Sequence, residues 1–219
     1  MNTDFVNACV SDTPVQLTTL LQDATNNTIE NCSAGLFKLT DSHDGSATAD
    51  VLNKIELLFN HQPHIINMYD AHGCAPIHYA CLSIGMATTA PATPDEFTSK
   101  TVIINKLFQL GADINLPVTN MSGSLPLHLA CLNQNYNIVK FLLDHGVNVN
   151  AMNNNNMTPL FFTLHNENII KLLFDHHADM NHKDDNNDTP LGAWTKNLKH
   201  NGQQFEAAHQ MLLACGATL

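Results

Sequence analysis

The chain has 219 residues and a formal net charge of −11, with nine basic residues, twenty acidic ones and a hydrophobic fraction of 44 %. This composition is typical of a folded protein rather than a disordered one, and no apolar run is long enough to span a bilayer. The few, scattered lysines argue against a nucleic-acid-binding surface, which requires clustered positive charge. Because the N-terminus also lacks the basic start and apolar core of a secretion signal, we expect a soluble, cytoplasmic protein.

Two pairs of helices are expected in the first third of the chain. Residues 5–24, which contain FVNACV and PVQLTTLLQDA, indicate a first pair. AGLFKLT at 34–40 is expected to form the first helix of the second pair, with Gly35 at the position that proline occupies in later segments. IELLFNHQPHIIN at 55–67 predicts its second helix and a turn, and DSHDGSATA at 41–49 predicts an inserted loop between the two helices.

A short motif, with proline as its second residue, recurs further along the chain. Its four copies are APIHYAC (75–81), LPLHLAC (125–131), TPLFFTL (158–164) and TPLGAWT (189–195). The last three prolines, Pro126, Pro159 and Pro190, lie 33 and 31 residues apart. Each copy is followed by an amphipathic stretch and a small polar turn, in KLFQLGADIN (106–115), FLLDHGVNVN (141–150), LLFDHHADMN (172–181) and MLLACGATL (211–219). A repeat of this length predicts a solenoid of stacked helix pairs.

These motifs resemble those of the ankyrin-repeat family, whose signature is T-P-L-H-x-A and whose repeats close with sequences such as GADIN. The resemblance is strongest over residues 68–181. It implies an all-α solenoid in which each repeat is a β-turn followed by two antiparallel helices, forming a single domain over 1–219. It also implies about six repeats, the terminal ones degenerate, at roughly 5–27, 28–67, 68–115, 116–150, 151–181 and 182–219.

Particular residues suit the turns and helix ends that this fold requires. Thr158 and Thr189 each precede a proline, so we expect their hydroxyls to cap the first helix. Gly111 follows a second helix, where a left-handed residue commonly ends the helix. Asn156 and Asn187 occupy a turn position that is glycine elsewhere, and asparagine tolerates positive φ better than most residues.

The Cys/His pairs of the motif are expected to be structural. The resemblance implies that His78 and His128 pack inside and hydrogen-bond to the neighbouring turn. It places Cys9, Cys81 and Cys131 where helices pack closely. The six cysteines show no CxxC spacing, so we interpret them as reduced, mostly buried thiols.

The third and sixth repeats depart from the pattern. SIGMATTAPATPDEFTSK at 83–100 is an insertion between two helices, either a neutral loop or a functional one, on the same side as the loop at 41–49. Thr93–Glu96 resembles a capping box, which predicts that the following helix begins early and is long. Trp194 takes the place of a small residue, so it either distorts its helix pair, contacts a partner or adapts the last repeat as a cap.

One acidic segment resembles the start of a calcium-binding loop. Asp184, Asn186 and Asp188 have the required spacing. Thr189 stands where glycine is needed and Thr195 where a bidentate glutamate belongs, so we interpret the segment as a β-turn tip.

A second candidate metal site consists of His176, His177, Asp179 and His182. His177 and Asp179 fill ordinary turn positions, and no second ligand group has zinc spacing, so we expect neither a metal nor a cofactor. No phosphate loop, nucleophile elbow or HExxH motif is present, and we expect no enzymatic activity.

Two asparagines are candidate modification sites. Asn115 and Asn181 close segments that match the pattern leucine, five residues, acidic, apolar, asparagine, which the resemblance implies is a target of an asparaginyl hydroxylase. The alternative is that these side chains tie adjacent turns together by hydrogen bonds.

The expected function is a monomeric scaffold that binds another protein through the concave face and turn tips. The contact positions that the resemblance implies are Ala71, His72, Cys74, Met121, Ser122, Ser124, Leu132, Asn133, Asn154, Asn155, Met157, His165, Asp185, Asn186, Asp188 and Lys196. Acidic residues concentrate at the C-terminal end of this set, which predicts steering of a basic partner.

Two alternatives stay open. The chain resembles ankyrin-type effector or host-range proteins of intracellular bacteria and viruses, which bind host factors in the host cytosol or nucleus. It is also compatible with the targeting module of a larger enzyme or adaptor, because it stops at a repeat boundary without an obvious polar cap.

Overall fold

The computed structural model describes residues 3–11, 14–22, 29–41, 48–82, 94–163, 166–198 and 206–218. Within these ranges the regular secondary structure is entirely helical. The chain divides into two compact units, an N-terminal unit, Met1–Leu116, and a C-terminal unit, Pro117–Leu219. Among the described helices, none is both long and apolar enough to cross a membrane.

The N-terminal unit consists of paired helices. Their bounds are α1 Thr3–Ser11, α2 Pro14–Leu21, α3 Ile29–Asp41, α4 Thr48–His61, a 3-10 helix at Pro63–Asn67, α5 Pro76–Cys81 and α6 Pro94–Gln109. The first helices pack in one row, α1 on α3 and α3 on α5, and the second helices in another, α2 on α4 and α4 on α6. The expected helix pairs at the N-terminus are confirmed.

The C-terminal unit has shorter helices and more turns. Its elements are a 3-10 segment at Met121–Gly123, α7 Pro126–Leu132, α8 Tyr136–Asp144, a 3-10 helix at Pro159–Phe162, α9 Glu167–Asp175, α10 Pro190–Leu198 and α11 Glu206–Ala214. Each proline of the recurring motif begins a first helix. Proline suits this position because the first N–H of a helix has no partner within the helix and the fixed φ of proline is already helical. Ile138, Val139, Leu142 and Leu143 form the buried stripe of α8.

The prediction for Gly35 is wrong. Helix α3 begins at Ile29, so Gly35 lies inside the helix rather than at its first position. A Cβ at Gly35 would lie 2.7 Å from the Cys9 sulfur, closer than side chains approach. Glycine is therefore needed for the close packing of α1 on α3. In the sequence, the same glycine was interpreted as marking the start of a helix.

The expectation for α6 is confirmed. The helix begins at Pro94 and has 16 residues. Of the two predicted insertions, residues 83–93 and 42–47 lie outside the described residues.

Two buried lysines organise the helix ends of the N-terminal unit. Lys54 and Lys100 are each 2 % exposed. The Lys54 ammonium donates to the Val10 carbonyl at 3.0 Å and pairs with Asp50 at 3.0 Å. Lys100 donates to the Thr40 carbonyl at 2.5 Å. Each lysine thus reaches from a second helix to the last turn of a first helix in the preceding pair, where carbonyls lack helical partners. Sequence analysis missed this arrangement.

The predicted turn residues are confirmed, and one of the two predicted caps is wrong. Gly111, Asn156 and Asn187 have φ of 92°, 57° and 64°. Thr189 Oγ1 accepts the Gly192 N–H at 3.1 Å, as expected of a cap. The Thr158 hydroxyl is buried and has no hydrogen-bond partner within the described structure. The following segment is a 3-10 helix in which the N–H of the third residue bonds to the Thr158 carbonyl instead.

Trp194 is not an exposed contact residue. It is 6 % exposed, and its indole N–H donates to the Phe161 carbonyl at 3.1 Å. That carbonyl belongs to the 3-10 helix Pro159–Phe162, which stands in place of a regular first α-helix. Of the expected alternatives, the geometry favours distortion of the helix stack over partner contact.

Candidate functional site

Three successive turns of the C-terminal unit precede its first helices. In two of them one side chain organises the backbone. Asn153 Oδ1 accepts the N–H groups of the residues two and four positions later, both at 3.0 Å. Asp184 Oδ1 does the same at 2.9 Å. The turns therefore have a common local geometry that holds their tips in fixed positions.

Hydrogen bonds join the turn tips into a row. The Asn154 N–H donates to the Ser122 carbonyl at 2.8 Å, and the Asn155 side-chain amide donates to the Ser122 hydroxyl at 3.1 Å. The Asp185 N–H donates to the Asn155 carbonyl at 3.2 Å. We call residues 121–124, 154–157 and 185–188 the turn row. Because each tip bonds to the next, the row is a preorganised surface, which lowers the ordering cost of binding.

The first turn of the row is strained and exposes a methionine. Met121 and Ser122 have φ of 47° and 55° and are followed by Gly123 at 65°. A non-glycine residue in this region costs roughly 1–2 kcal/mol. The positive φ of Gly123 favours glycine, and an added Cβ would lie 2.7 Å from the Asn154 amide oxygen and so displace that exposed side chain. Met121 is 39 % exposed, so the strained turn presents an apolar side chain to solvent.

The predicted contact residues divide by exposure. Those exposed are Ala71, His72, Met121, Ser122, Asn154, Asn155, Asp185, Asn186 and Lys196. Those half-buried are Leu132, Asn133, Met157 and Asp188. Ser124 and Cys74 are 4 % and 6 % exposed, so neither is accessible to a partner and both predictions are wrong. Their turns fold so that these side chains point inward. His165 lies outside the described residues.

The acidic end predicted at the C-terminus is largely compensated. Lys196 contacts both carboxylate oxygens of Asp188, at 2.5 and 2.7 Å. Asp184 is 6 % exposed, and its carboxylate holds the turn. Asp185 is exposed at the tip. The sequence pattern missed the pairing because Asp188 and Lys196 are eight residues apart and are brought together by the turn before α10.

The motif histidines have the predicted structural role. His78 Nδ1 accepts the Ala75 N–H at 2.7 Å, so its Nε2 carries the proton and donates to the Leu116 carbonyl at 2.7 Å. His128 bonds in the same way to Leu125 at 3.1 Å and Met157 at 3.0 Å. Burial lowers the pKa of His78 and lowers that of His128 to about 4. Both rings are therefore neutral parts of the core near neutral pH.

Three asparagines at the ends of repeats bridge to the next turn. The Asn181 amide donates to the Gly216 carbonyl at 2.9 Å and accepts the Thr218 N–H at 2.7 Å. Asn150 bridges to the 177–179 turn and Asn67 to the 111–113 turn in the same way. The Asn181 side chain thus ties adjacent turns together, which leaves its modification untested, and Asn67 is a bridging residue that sequence analysis missed.

Four of the cysteines have a raised pKa, the opposite of an activated thiol. None of the six forms a disulfide, and only Cys215 is partly exposed. Burial raises the pKa of Cys32 and of Cys74 to about 11. Burial and the nearby Asp175 also raise the pKa of Cys215. A reactive thiol requires the opposite shift. The described part of the chain contains no group of three or more metal-ligating side chains.

Comparisons with known proteins agree with this geometry. The sequence pattern of the family described as ankyrin repeats, three copies, matches residues 98–197. Over 75 residues the chain is 37 % identical to ankyrin repeat protein FPV230 of fowlpox virus (strain NVSL), a match that covers 34 % of this chain and 39 % of that protein. The chain thus spans about two fifths of the length of this relative.

Proposed function

We propose that the chain, whose residues 98–197 match the ankyrin-repeat pattern, is a non-catalytic scaffold that binds another protein through the turn row and the adjoining side of the first helices. Ankyrin repeats generally mediate protein–protein interaction, so the family supports the general function. The location and composition of the surface are the proposal.

The hydrogen-bonded turn row is the observation that carries this proposal. Ser122, Asn155 and Asp185 connect three tips through their backbones and side chains. The tips present the exposed side chain of Met121 next to asparagine side chains. The buried centre of a protein interface is commonly enriched in methionine and contains few charged residues. Leu132, at the end of α7, and Met157, in the second turn of the row, are half-buried and add apolar side chains to the proposed surface.

The test is capture of proteins from cell lysate by three forms of the chain, followed by mass spectrometry. The forms are the unaltered protein, the turn-row variant Met121→Ala, Leu132→Ala, Met157→Ala, and the control variant Tyr136→Ala, Phe174→Ala, Leu213→Ala on exposed positions of α8, α9 and α11. We expect a protein captured by the unaltered and control forms and lost from the turn-row variant. Equal capture by both variants would remove the turn row from the interface.

A second candidate is supported by the viral relative. The similarity to a fowlpox virus ankyrin repeat protein favours an ankyrin-type effector or host-range protein that binds a host factor in the cytosol or nucleus. Because the match covers 39 % of that relative, the targeting module of a longer protein is compatible with the same similarity. Expression in vertebrate cells with proximity labelling tests the first alternative, and enrichment no different from that of an unrelated ankyrin protein would contradict it.

Asn115 and Asn181 are also proposed as asparaginyl hydroxylase targets. Both follow an aspartate whose Oδ1 accepts the asparagine N–H, at 2.8 and 2.9 Å. Treatment with such a hydroxylase should add one oxygen to each residue, measured by peptide mass spectrometry. An unmodified mass at both positions would contradict the proposal.

A further inference from the structure

Two half-buried aromatic rings lie together on the first helices of the N-terminal unit. Phe37 in α3 and Tyr79 in α5 have ring centroids 6.0 Å apart and planes inclined by 58°. The Tyr79 hydroxyl donates to Asp70 Oδ2 at 2.6 Å, and Asp70 Oδ1 accepts the N–H of exposed His72 at 2.9 Å. We call Phe37, Asp70, His72 and Tyr79 the acidic-aromatic face. Asp70 Oδ1 also accepts the Cys74 N–H at 2.9 Å, so this carboxylate holds its turn in place and lies at the hydroxyl of one ring of the aromatic pair.

Negative charge is concentrated in the unit that carries this face. Residues 1–116 contain twelve acidic residues and four lysines, a formal charge of −8. Residues 117–219 contain eight acidic residues and five lysines, a formal charge of −3. The N-terminal unit therefore carries the larger share of the formal negative charge of the chain.

Three of the four lysines of the N-terminal unit are buried or paired with a carboxylate, so they contribute little positive charge at the surface. Lys54 and Lys100 are buried, with their ammonium groups on main-chain carbonyls. Lys106 pairs with Glu56 at 2.6 Å. Lys38 is exposed beside Phe37 in the sequence, and its ammonium donates to the Asn7 side chain at 2.6 Å. Two of the four lysines are thus inaccessible to a partner and a third is engaged with a carboxylate.

We propose that the acidic-aromatic face docks a lysine- or arginine-rich segment of a partner protein. A cation is attracted to the face of an aromatic ring and to a nearby carboxylate, and complementary charge increases the association rate and the selectivity. The occupant follows from charge complementarity, since the −8 of this unit would repel an acidic segment. The inference rests on the proposed function, because the occupant is part of a bound protein, and it supplies the chemistry of that partner.

Fluorescein-labelled octalysine titrated into the full chain, with fluorescence anisotropy as the readout, tests this assignment. His72→Lys should raise the Kd about fivefold, because a like charge a few ångströms from the bound cation costs about 1 kcal/mol in water. The matched control is Asn155→Lys, which adds the same charge at the corresponding tip of the turn row. We expect the control to leave the Kd near that of the unaltered chain.

Two aromatic substitutions separate the face from the net charge of the chain. Phe37→Leu should raise the Kd two- to fivefold through loss of the cation–π contribution, while Tyr136→Leu in α8 should not. Circular dichroism checks that each variant remains folded, and His72→Lys tests the face at an exposed position if Phe37→Leu does not fold.

Several results would overturn the inference. They are the absence of octalysine binding, equal effects of His72→Lys and Asn155→Lys, or an unchanged Kd for folded Phe37→Leu. Spermine binding as tightly as octalysine would assign the face to free polyamines instead. Because octalysine is not a natural partner, these titrations do not test the turn-row proposal. Loss of lysate capture by the turn-row variant likewise does not test the acidic-aromatic face.

Discussion

The N-terminal and C-terminal units satisfy the polar ends of their helices in different ways. In the C-terminal unit, Asn135 and Asn166 cap the N-terminal ends of second helices, and each side-chain oxygen accepts a backbone N–H at 3.2 Å. In the N-terminal unit, Lys54 and Lys100 reach carbonyls at the ends of first helices. These two capping amides act within their own repeats, whereas each of the two ammonium side chains connects one repeat to the preceding one.

This difference has a consequence at the surface. The lysines used inside the N-terminal unit are removed from its exterior, which helps to leave that unit strongly acidic. The C-terminal unit keeps Lys196 on the surface and pairs it with Asp188, so its turn row is mostly neutral. Internal packing and external charge are therefore linked through the same few lysines.

The largest effect is expected where the N-terminal unit packs most closely. Gly35→Val should lower the free energy of unfolding by about 3 kcal/mol, because its side chain would overlap Cys9 between α1 and α3. Ala34→Val, at a half-buried position of the same helix, is the control and should cost less than 1 kcal/mol. Urea denaturation measures both, and equal losses would show that the contact is not limiting.

Replacing a buried lysine tests the comparison directly. Lys100→Met should lower the free energy of unfolding by about 2 kcal/mol, because the Thr40 and Tyr79 carbonyls lose a charged donor. Lys171→Met, at an exposed site in the C-terminal unit, should change it by less than about 0.5 kcal/mol. A stable Lys100→Met protein would mean that the cost of burying the ammonium cancels its hydrogen bonds.

The neutral histidines predict acid sensitivity. With an unfolded pKa near 6.5 and a folded pKa of about 4, His128 favours the unfolded state increasingly as the pH falls from about 6.5 to 4. At pH 5 the loss is about 2 kcal/mol relative to pH 8. Urea denaturation of the unaltered chain and of His128→Gln at both pH values measures this contribution. The variant should lose less stability on acidification, and an equal loss in both would contradict the assignment.

The smallest effect concerns two threonines of the C-terminal unit. Thr189→Val should cost about 1 kcal/mol, because the hydroxyl accepts the Gly192 N–H and donates to the Thr218 carbonyl. Thr158→Val should be neutral or stabilising by up to about 1 kcal/mol, because that hydroxyl is buried without a partner. The reverse order of the two melting temperatures would show that Thr158 has a hydrogen bond in solution.

Local patterns predicted much of the fold. Prolines marked the starts of first helices, and Gly111, Asn156 and Asn187 have the positive φ expected of them. The histidine network also followed from the family resemblance, because its hydrogen bonds lie within the motif and the next turn. These features depend on residues close in sequence or on the fixed spacing of the repeat.

Features that depend on packing between repeats were missed. Gly35 is set by its distance to Cys9, and the role of Lys100 is set by a carbonyl 60 residues away. Ser124 and Asp188 were assigned as free contact positions, but the turn buries the first and pairs the second with Lys196. A sequence pattern predicts the position of a residue within its repeat. The exposure of its side chain and its ion-pair partner depend on residues that are close only in the folded structure.

Hydrogen exchange on the complex with a captured partner tests the central claim most directly. Mass spectrometry would compare amide protection with and without the partner across the described segments. The account predicts increased protection at 119–124, 153–157 and 184–188, with the exposed faces of α8, α9 and α11 unchanged. Protection confined to those second helices, with the turn row unaffected, would contradict the assignment of the binding surface.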